Sequence, residues 1–469
     1  MPDRARVSLH AVRTLLMGGD EPGVFETLLG FRAATEAIRG VHIMNDLAQC
    51  VLGGAPEHGG DFLCQVVRPD DDGAENSEEA LRNSPRFGRA FARAFPDELG
   101  RRRVDALRRA ATAVLNFDRG MYKAGDRMAS ALATHRDLLG FEQFRRFQVG
   151  RYIEHALGED GARQVRDLYE TDHDPITRAF RPLLLPGDLV DTQKRRPLPP
   201  RTEFDEALGR GLRTLLTQRL AKPALLRALA LASSLGIVLK VLGRGRPTGT
   251  PAVLALAAER EASRRRDLRE EAVTSIRRCV ADFDRACSLE LSRHPGLQQM
   301  LASGHEEGAF VEFGTNATVL DQCAELIAAA RRDAGSSRTT DDDTRIWWPD
   351  RFAVRLGRQG GFILPQDDRA GWGRYFALSP EHVEVLTLMC VPPGQRRSWK
   401  ELWSCVRTDF GIVVGVNAPA EAVALRDAGV LHVGVEALAA NGDDLLAQAC
   451  RRALARRLPD SGAEVGGTT

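Results

Sequence analysis

The sequence predicts a mainly α fold: a multi-helix N-terminal and central body with a few short strands, then a smaller C-terminal module of mixed α and β character. Three observations predict it. Apolar residues recur at helical spacing through most of residues 1–332. Two stretches, 186–202 and 333–345, break that pattern with Pro, Gly and polar residues. After them the rhythm changes to short apolar runs separated by Gly and Pro. The expected organisation is a helical domain over 1–185, a linker over 186–202 and a helical domain over 203–332 with a short strand near 252–257. A linker over 333–345, the C-terminal module over 346–459 and a disordered tail over 460–469 complete it.

Val7 to Met17 is a short amphipathic stretch stopped by Gly18-Gly19, and 24–52 continues as helix with Phe25, Leu28, Leu29, Ile43 and Leu47 as core. Asp70-Asp71-Asp72 is read as a solvated acidic loop, because adjacent carboxylates repel. Ser84-Pro85 starts a helix whose Phe87, Phe91 and Phe95 form a core stripe. Arg101, Arg102 and Arg103 follow on the next helix, in the most basic region of the N-terminal half, and are candidate phosphate contacts. Asp172-His173-Asp174-Pro175 reads as a loop ending a helix, since consecutive residues rarely all face one ion.

The uncharged run from Ala228 to Leu239 is shorter than the ~20 residues a bilayer needs, so it is read as a buried core helix. Arg244-Gly245-Arg246-Pro247 resembles the core of an AT-hook, whose arginines lie along a narrow A·T minor groove. Its place between an apolar helix and the strand-like Val253-Leu254-Ala255-Leu256 predicts a structured turn, with Arg244 and Arg246 as candidate nucleic-acid contacts. Residues 259–291 form a charge-laced helix with Leu268, Ala272, Ile276, Cys279 and Phe283 inward.

In the last quarter, alternating apolar residues around Gly360-Gly361 predict a hairpin over 347–364. Ser379-Pro380-Glu381 starts a helix running to Cys390. Ser398 with Glu401 forms a capping box for a second helix, which Gly411 ends. Ile412, Val413 and Val414 form a short strand, and Pro419 opens a third helix to Ala428. Val430, Leu431 and Val433 begin a wing, and Asp443 caps a last helix.

This order of helices followed by a short apolar ribbon is similar to that of winged-helix domains of bacterial regulators. The C-terminal module is therefore expected to be winged-helix-like. The resemblance covers this quarter only and implies either DNA binding or protein docking. The third helix offers Arg426 alone beside Glu421 and Asp427, which favours docking over base reading. Arg396, Arg397 and Lys400, at the start of the second helix, are placed to grip phosphates.

A net charge of +1 excludes a global basic field, so nucleic-acid contact must come from local patches. The eight cysteines form no C-x-x-C pair, which predicts reduced thiols and a cytoplasmic setting. The N-terminus is not a secretory signal, and no membrane association is expected. Phosphate-loop, dinucleotide, nucleophile-elbow and H-E-x-x-H patterns are absent, and no metal or cofactor is expected. The expected role is a non-catalytic DNA-binding or complex-docking adaptor of a bacterial DNA-associated system, such as an anti-phage defence cluster. Its partners are DNA, protein components of a larger complex, or both. The alternative is a nuclease or other hydrolase using acids near Asp172-His173-Asp174 or between His305 and Glu312.

Overall fold

The computed structural model describes residues 6–18, 22–31, a few positions between 43 and 51, 149–170, 198–243, 253–258, 266–297, 310–312, 318–336, 348–365, 373–416, 419–427, 431–452, 454–457 and 463–466. These residues are mostly helical with a few short strands. The chain divides into two compact units. One takes 38–197 and 219–233, and the other gathers 1–37, 198–218 and 234–469.

In the first unit, α3 (Val149–Glu170) kinks at Gly158, whose φ of 70 only glycine adopts freely. Its Arg166 Nε donates to the Val51 carbonyl at 2.6 Å. The remaining elements lie wholly or partly in the other unit. They begin with β1 (Arg6–Ser8), α1 (Leu9–Met17) and α2 (Val24–Leu29).

α4 (Glu203–Leu216) starts at Thr202, whose side chain accepts from Asp205 N while Asp205 Oδ2 accepts from Thr202 N. α5 (Lys222–Leu242) is longer than the apolar run within it. Its stretch Ala224–Leu242 is long and apolar enough to cross a membrane by composition, yet 83% of it is buried inside the protein. One cation in that stretch, Lys240, is also buried: its Nζ lies 2.9 Å from each Asp205 carboxylate oxygen.

β2 (Val253–Ala257) forms where the apolar run predicts a strand, and all five residues are buried. Such continuous burial marks a central parallel strand covered on both faces. α6 (Arg266–Arg293), β3 (Phe310–Glu312) and α7 (Val319–Ser336) follow. Arg331 on α7 grips Asp284 of α6 at 2.7 Å, and its Nη2 donates to Asp350 Oδ1 at 3.0 Å. Its guanidinium also lies 4.0 Å over the buried Trp348 ring.

The hairpin expected over 347–364 is instead α8 (Pro349–Gln359), followed by β4 (Ile363–Leu364). Pro349 occupies the first turn, and Phe352, Ala353 and Leu356 fall on one buried stripe. The same residues that alternate around the glycines also satisfy a helical period, and the Pro at its start decides.

β5 (Tyr375–Leu378), α9 (Pro380–Cys390), β6 (Arg396–Ser398), α10 (Trp399–Phe410) and β7 (Ile412–Val413) come next. The four-stranded sheet runs β4-β5-β2-β7, with β2 parallel to both β5 and β7. The first parallel strand in the chain thus lies between the second and third. Leu254 and Leu256 of β2 cluster with Leu268, Ala272, Val413 and Leu438.

α9 is capped as the sequence suggests, with one addition. His382 Nδ1 lies 3.0 Å from Ser379 N, accepting its hydrogen bond, and 2.8 Å from Ser379 Oγ. Burial pushes His382 down to about 4, against the opposing pull of the Gly360 backbone. Protonating Nδ1 would also set its N–H against that of Ser379. The unfolded histidine titrates near 6.5, so stability is unaffected above that value. It falls as pH drops from 6.5 towards 4, because only the unfolded chain takes up the proton. We expect a loss of about 3 kcal/mol across that window. A His382→Asn variant, unfolded in denaturant at pH 7 and 4.5, should show a correspondingly smaller pH loss. An unchanged loss would assign the effect elsewhere.

α11 (Pro419–Asp427) and α12 (Val435–Arg451) complete the helices, and β8 (Ala455–Arg457) and β9 (Ala463–Gly466) the strands. Leu431 and Val433 are buried loop residues rather than a wing strand. Asp443 lies inside α12, which starts after Gly434. β6, β9 and β8 form a separate antiparallel ribbon, with β9 in the middle.

Candidate nucleic-acid interface and adjoining cavity

The ribbon carries one arginine in each row of its register. Ser398, Glu464 and Arg456 face one another across the three strands, and Arg397 pairs with Val465. Arg396 Nη1 reaches Glu464 Oε2 at 3.3 Å, with Arg396 71% exposed. An ion pair so exposed holds the arginine weakly. Arg396, Arg397 and Lys400, predicted together, are together here at the ribbon's edge and the start of α10.

That start is fixed by hydrogen bonds. Glu401 N donates to Ser398 Oγ at 3.2 Å, and Glu401 Oε2 accepts from Ser398 N at 2.9 Å. The Ser398 backbone N–H and hydroxyl hold the Glu401 carboxyl below its usual range. Gly411, at φ 69, ends α10 and turns the chain directly into β7. Near the end of α10, the Cys405 thiol donates to Asp409 at 3.4 Å. A thiol contact from Cys390 lowers the Cys405 pKa, while the same contact and burial raise that of Cys390.

Between α10 and α12 lies a cavity of about 390 Å³. Trp399, Lys400 and Trp403 line one side, and Gly442, Asp443 and Leu446 the other. Arg407 pairs with Glu421 on its wall. Trp399 meets Trp403 edge-to-face at 5.4 Å and 79°. Gly415 and Gly442 pack backbone to backbone: a Cβ on Gly415 would sit 3.1 Å from Gly442 Cα.

α12 closes the carboxyl ends of the parallel strands with two amides. Asn441 Oδ1 accepts from Ala257 N at 3.1 Å, and its Nδ2 donates to Ala255 O at 3.0 Å and to Val414 O. Gln448 Nε2 donates to Leu378 O at 3.1 Å. Open parallel sheets commonly bind ligands outside these strand ends, where connections diverge from a central strand. In this protein Asn441 fills that place between β2 and β7.

Arg244, Arg246, Arg101, Arg102 and Arg103 lie outside the described residues, as do Asp172, His173, Asp174, His305, Glu306 and Glu307. Glu312 lies in β3, opposite Arg6 in an antiparallel pair. No cluster of metal-ligating side chains occurs among the described residues. Sequence reasoning missed the cavity and the amide stripe. The stripe carried a signal: Leu438, Asn441, Leu445 and Gln448 share one helical spacing, so two amides sit among inward positions. No protein-family model, curated protein or solved structure matches this chain.

Proposed function

We propose that the protein is a non-catalytic DNA-binding adaptor of a bacterial DNA-associated system, acting in the cytoplasm. Its winged-helix-like region, α9 to β9, grips duplex phosphates. The order of the ribbon carries this reading. In a winged helix one strand follows the first helix, and the two wing strands come last, with the final strand central in the sheet. Here β6 follows α9, β8 and β9 come last, and β9 is central. α11 and β7 are additions within that plan.

Charge supports phosphate contact. Arg396, Lys400, Arg451, Arg452 and Arg456 are exposed near the ribbon, against Glu401 and the half-buried Glu464. α12 stands where a recognition helix would, yet it exposes Glu436 and Asp443, so the reading is of backbone rather than base edges. The test is duplex binding by the full chain across a salt series. Three or four phosphate contacts predict a slope of log K against log salt of about −3. Arg396→Glu with Arg456→Glu should weaken binding at least tenfold and flatten the slope, with the melting temperature unchanged. Absence of binding at low salt would exclude direct DNA contact and leave protein docking as the module's role.

A further inference from the structure

Cys390 ends α9, and Cys405 lies inside α10, the helix packed against it. Both are free thiols, Cys390 buried and Cys405 half-buried. Their side chains meet, the Cys390 thiol donating to the Cys405 sulfur. The backbone under both is fixed. Gln218 Nε2 donates to Leu388 O and Val391 O at 2.9 and 2.8 Å, which holds the end of α9. α10 is capped at Ser398 and stopped at Gly411. Two unbonded thiols held in contact are the reactants of a disulfide.

Their surroundings make them unequal. Donation from Cys390 holds Cys405 below the ordinary thiol value, against burial and the nearby Asp409. The same contact, with burial, pushes Cys390 up. Arg397 on β6 favours the thiolate at both. Reactive cysteines are found in such settings, partly exposed and beside a cation. Asp409 Oδ2 accepts from the Cys405 thiol at 3.4 Å, and its other oxygen accepts from Arg210 at 3.3 Å. Asp409 is 26% exposed, so a proton leaving Cys405 has a carboxylate path to water.

We propose that Cys405 and Cys390 are a peroxide-sensing thiol pair, with Cys405 attacking and Cys390 resolving. The Cys405 sulfur attacks one oxygen of a hydroperoxide. The O–O bond breaks, the sulfur becomes a sulfenic acid, and the released alkoxide or hydroxide takes up the proton shed by Cys405. The Cys390 sulfur then attacks the sulfenic sulfur. The S–O bond breaks, and the hydroxyl leaves as water with the Cys390 proton. The two thiols lose two electrons, which the hydroperoxide gains. The new bond ties the end of α9 to α10 around β6, and thiol reductants reverse it. The pair is independent of the ribbon's phosphate contacts.

The experiment treats the reduced full chain with hydrogen peroxide in molar excess, blocks the remaining thiols with N-ethylmaleimide and maps tryptic fragments by mass spectrometry. Cleavage after Arg374, Arg396, Lys400 and Arg407 puts Cys390 in fragment 375–396 and Cys405 in fragment 401–407, with no other cysteine in either. Their linked mass should appear with peroxide, dominate over every other pairing and vanish with dithiothreitol. Cys390→Ser should leave Cys405 as a sulfenic acid that dimedone traps, whereas Cys405→Ser should leave Cys390 unlabelled. The proposal is overturned if both cysteines of the parent stay open to N-ethylmaleimide, a result that needs no variant to fold. Linkage of either one to another cysteine, sulfinic acid on Cys405 without a link, or dimedone on Cys390 in place of Cys405 would overturn it too.

Discussion

Asp205→Ala is expected to destabilise the protein by about 3–5 kcal/mol, the usual cost of removing one partner from a buried ion pair. Lys240 and Asp205 are 2% and 4% exposed, so the stranded ammonium cannot reach water. Asp205 also closes the cap of α4 by accepting from Thr202 N and Oγ at 2.9 Å, and losing the cap adds about 1 kcal/mol. Burial already lowers the Lys240 pKa against the opposing pull of Asp205; without the carboxylate it falls further. The folded chain then holds fewer protons than the unfolded one below pH 10.5, so the variant regains stability as pH rises. Denaturant unfolding at pH 7 and 9.5 reads both effects. Removing both charges together, Asp205→Asn with Lys240→Met, should recover most of the loss. A loss below 1 kcal/mol for Asp205→Ala would mean that the pair adds nothing to this core.

Asn441→Ala is the second large effect, on the order of 4 kcal/mol, because three buried backbone groups lose their partner together. The bonds at risk are those to Ala257 N, Ala255 O and Val414 O. Asn441→Leu should not rescue the loss, since it fills the space without satisfying any of the three. Hydrogen exchange should localise the damage, with the Ala257 amide exchanging far faster in the variant. Unchanged protection there would show that the amide does not hold the strand ends.

What the sequence made legible was local. Ser379 and Ser398 announced their helices through cap chemistry, Gly411 its stop, and Val253 to Leu256 its strand through an unbroken apolar run. Each signal lies within a few residues of what it specifies. The sheet is different: β2 pairs with Phe376, Ala377 and Leu378 and with Ile412 and Val413, far along the chain. No local pattern encodes that pairing, and Ile412-Val413 is too short to show a period. Apolar character alone predicts a strand at Val430 to Val433, and Leu431 and Val433 form none. The ribbon that formed uses Ala455-Arg456-Arg457 and Ala463-Glu464-Val465-Gly466, whose small and charged residues carry little hydrophobic signal. Of the site, Arg396, Arg397 and Lys400 were legible as a cluster. The cavity was not, because Trp399 and Trp403 look like any core stripe until β7 and α12 arrive beside them.

The central place of β2 bears on how this protein can be taken apart. Its neighbours on both sides come from beyond residue 346, while its cover, α6, comes from before it. Cutting the chain at the polar stretch 333–345 would leave five buried residues with both hydrogen-bonding flanks open, a template for cross-pairing between molecules. The C-terminal quarter is thus no exchangeable cassette. Grafting it elsewhere, or deleting it to probe its role, would alter the solubility of whatever remains, whereas point changes on the ribbon leave the sheet whole.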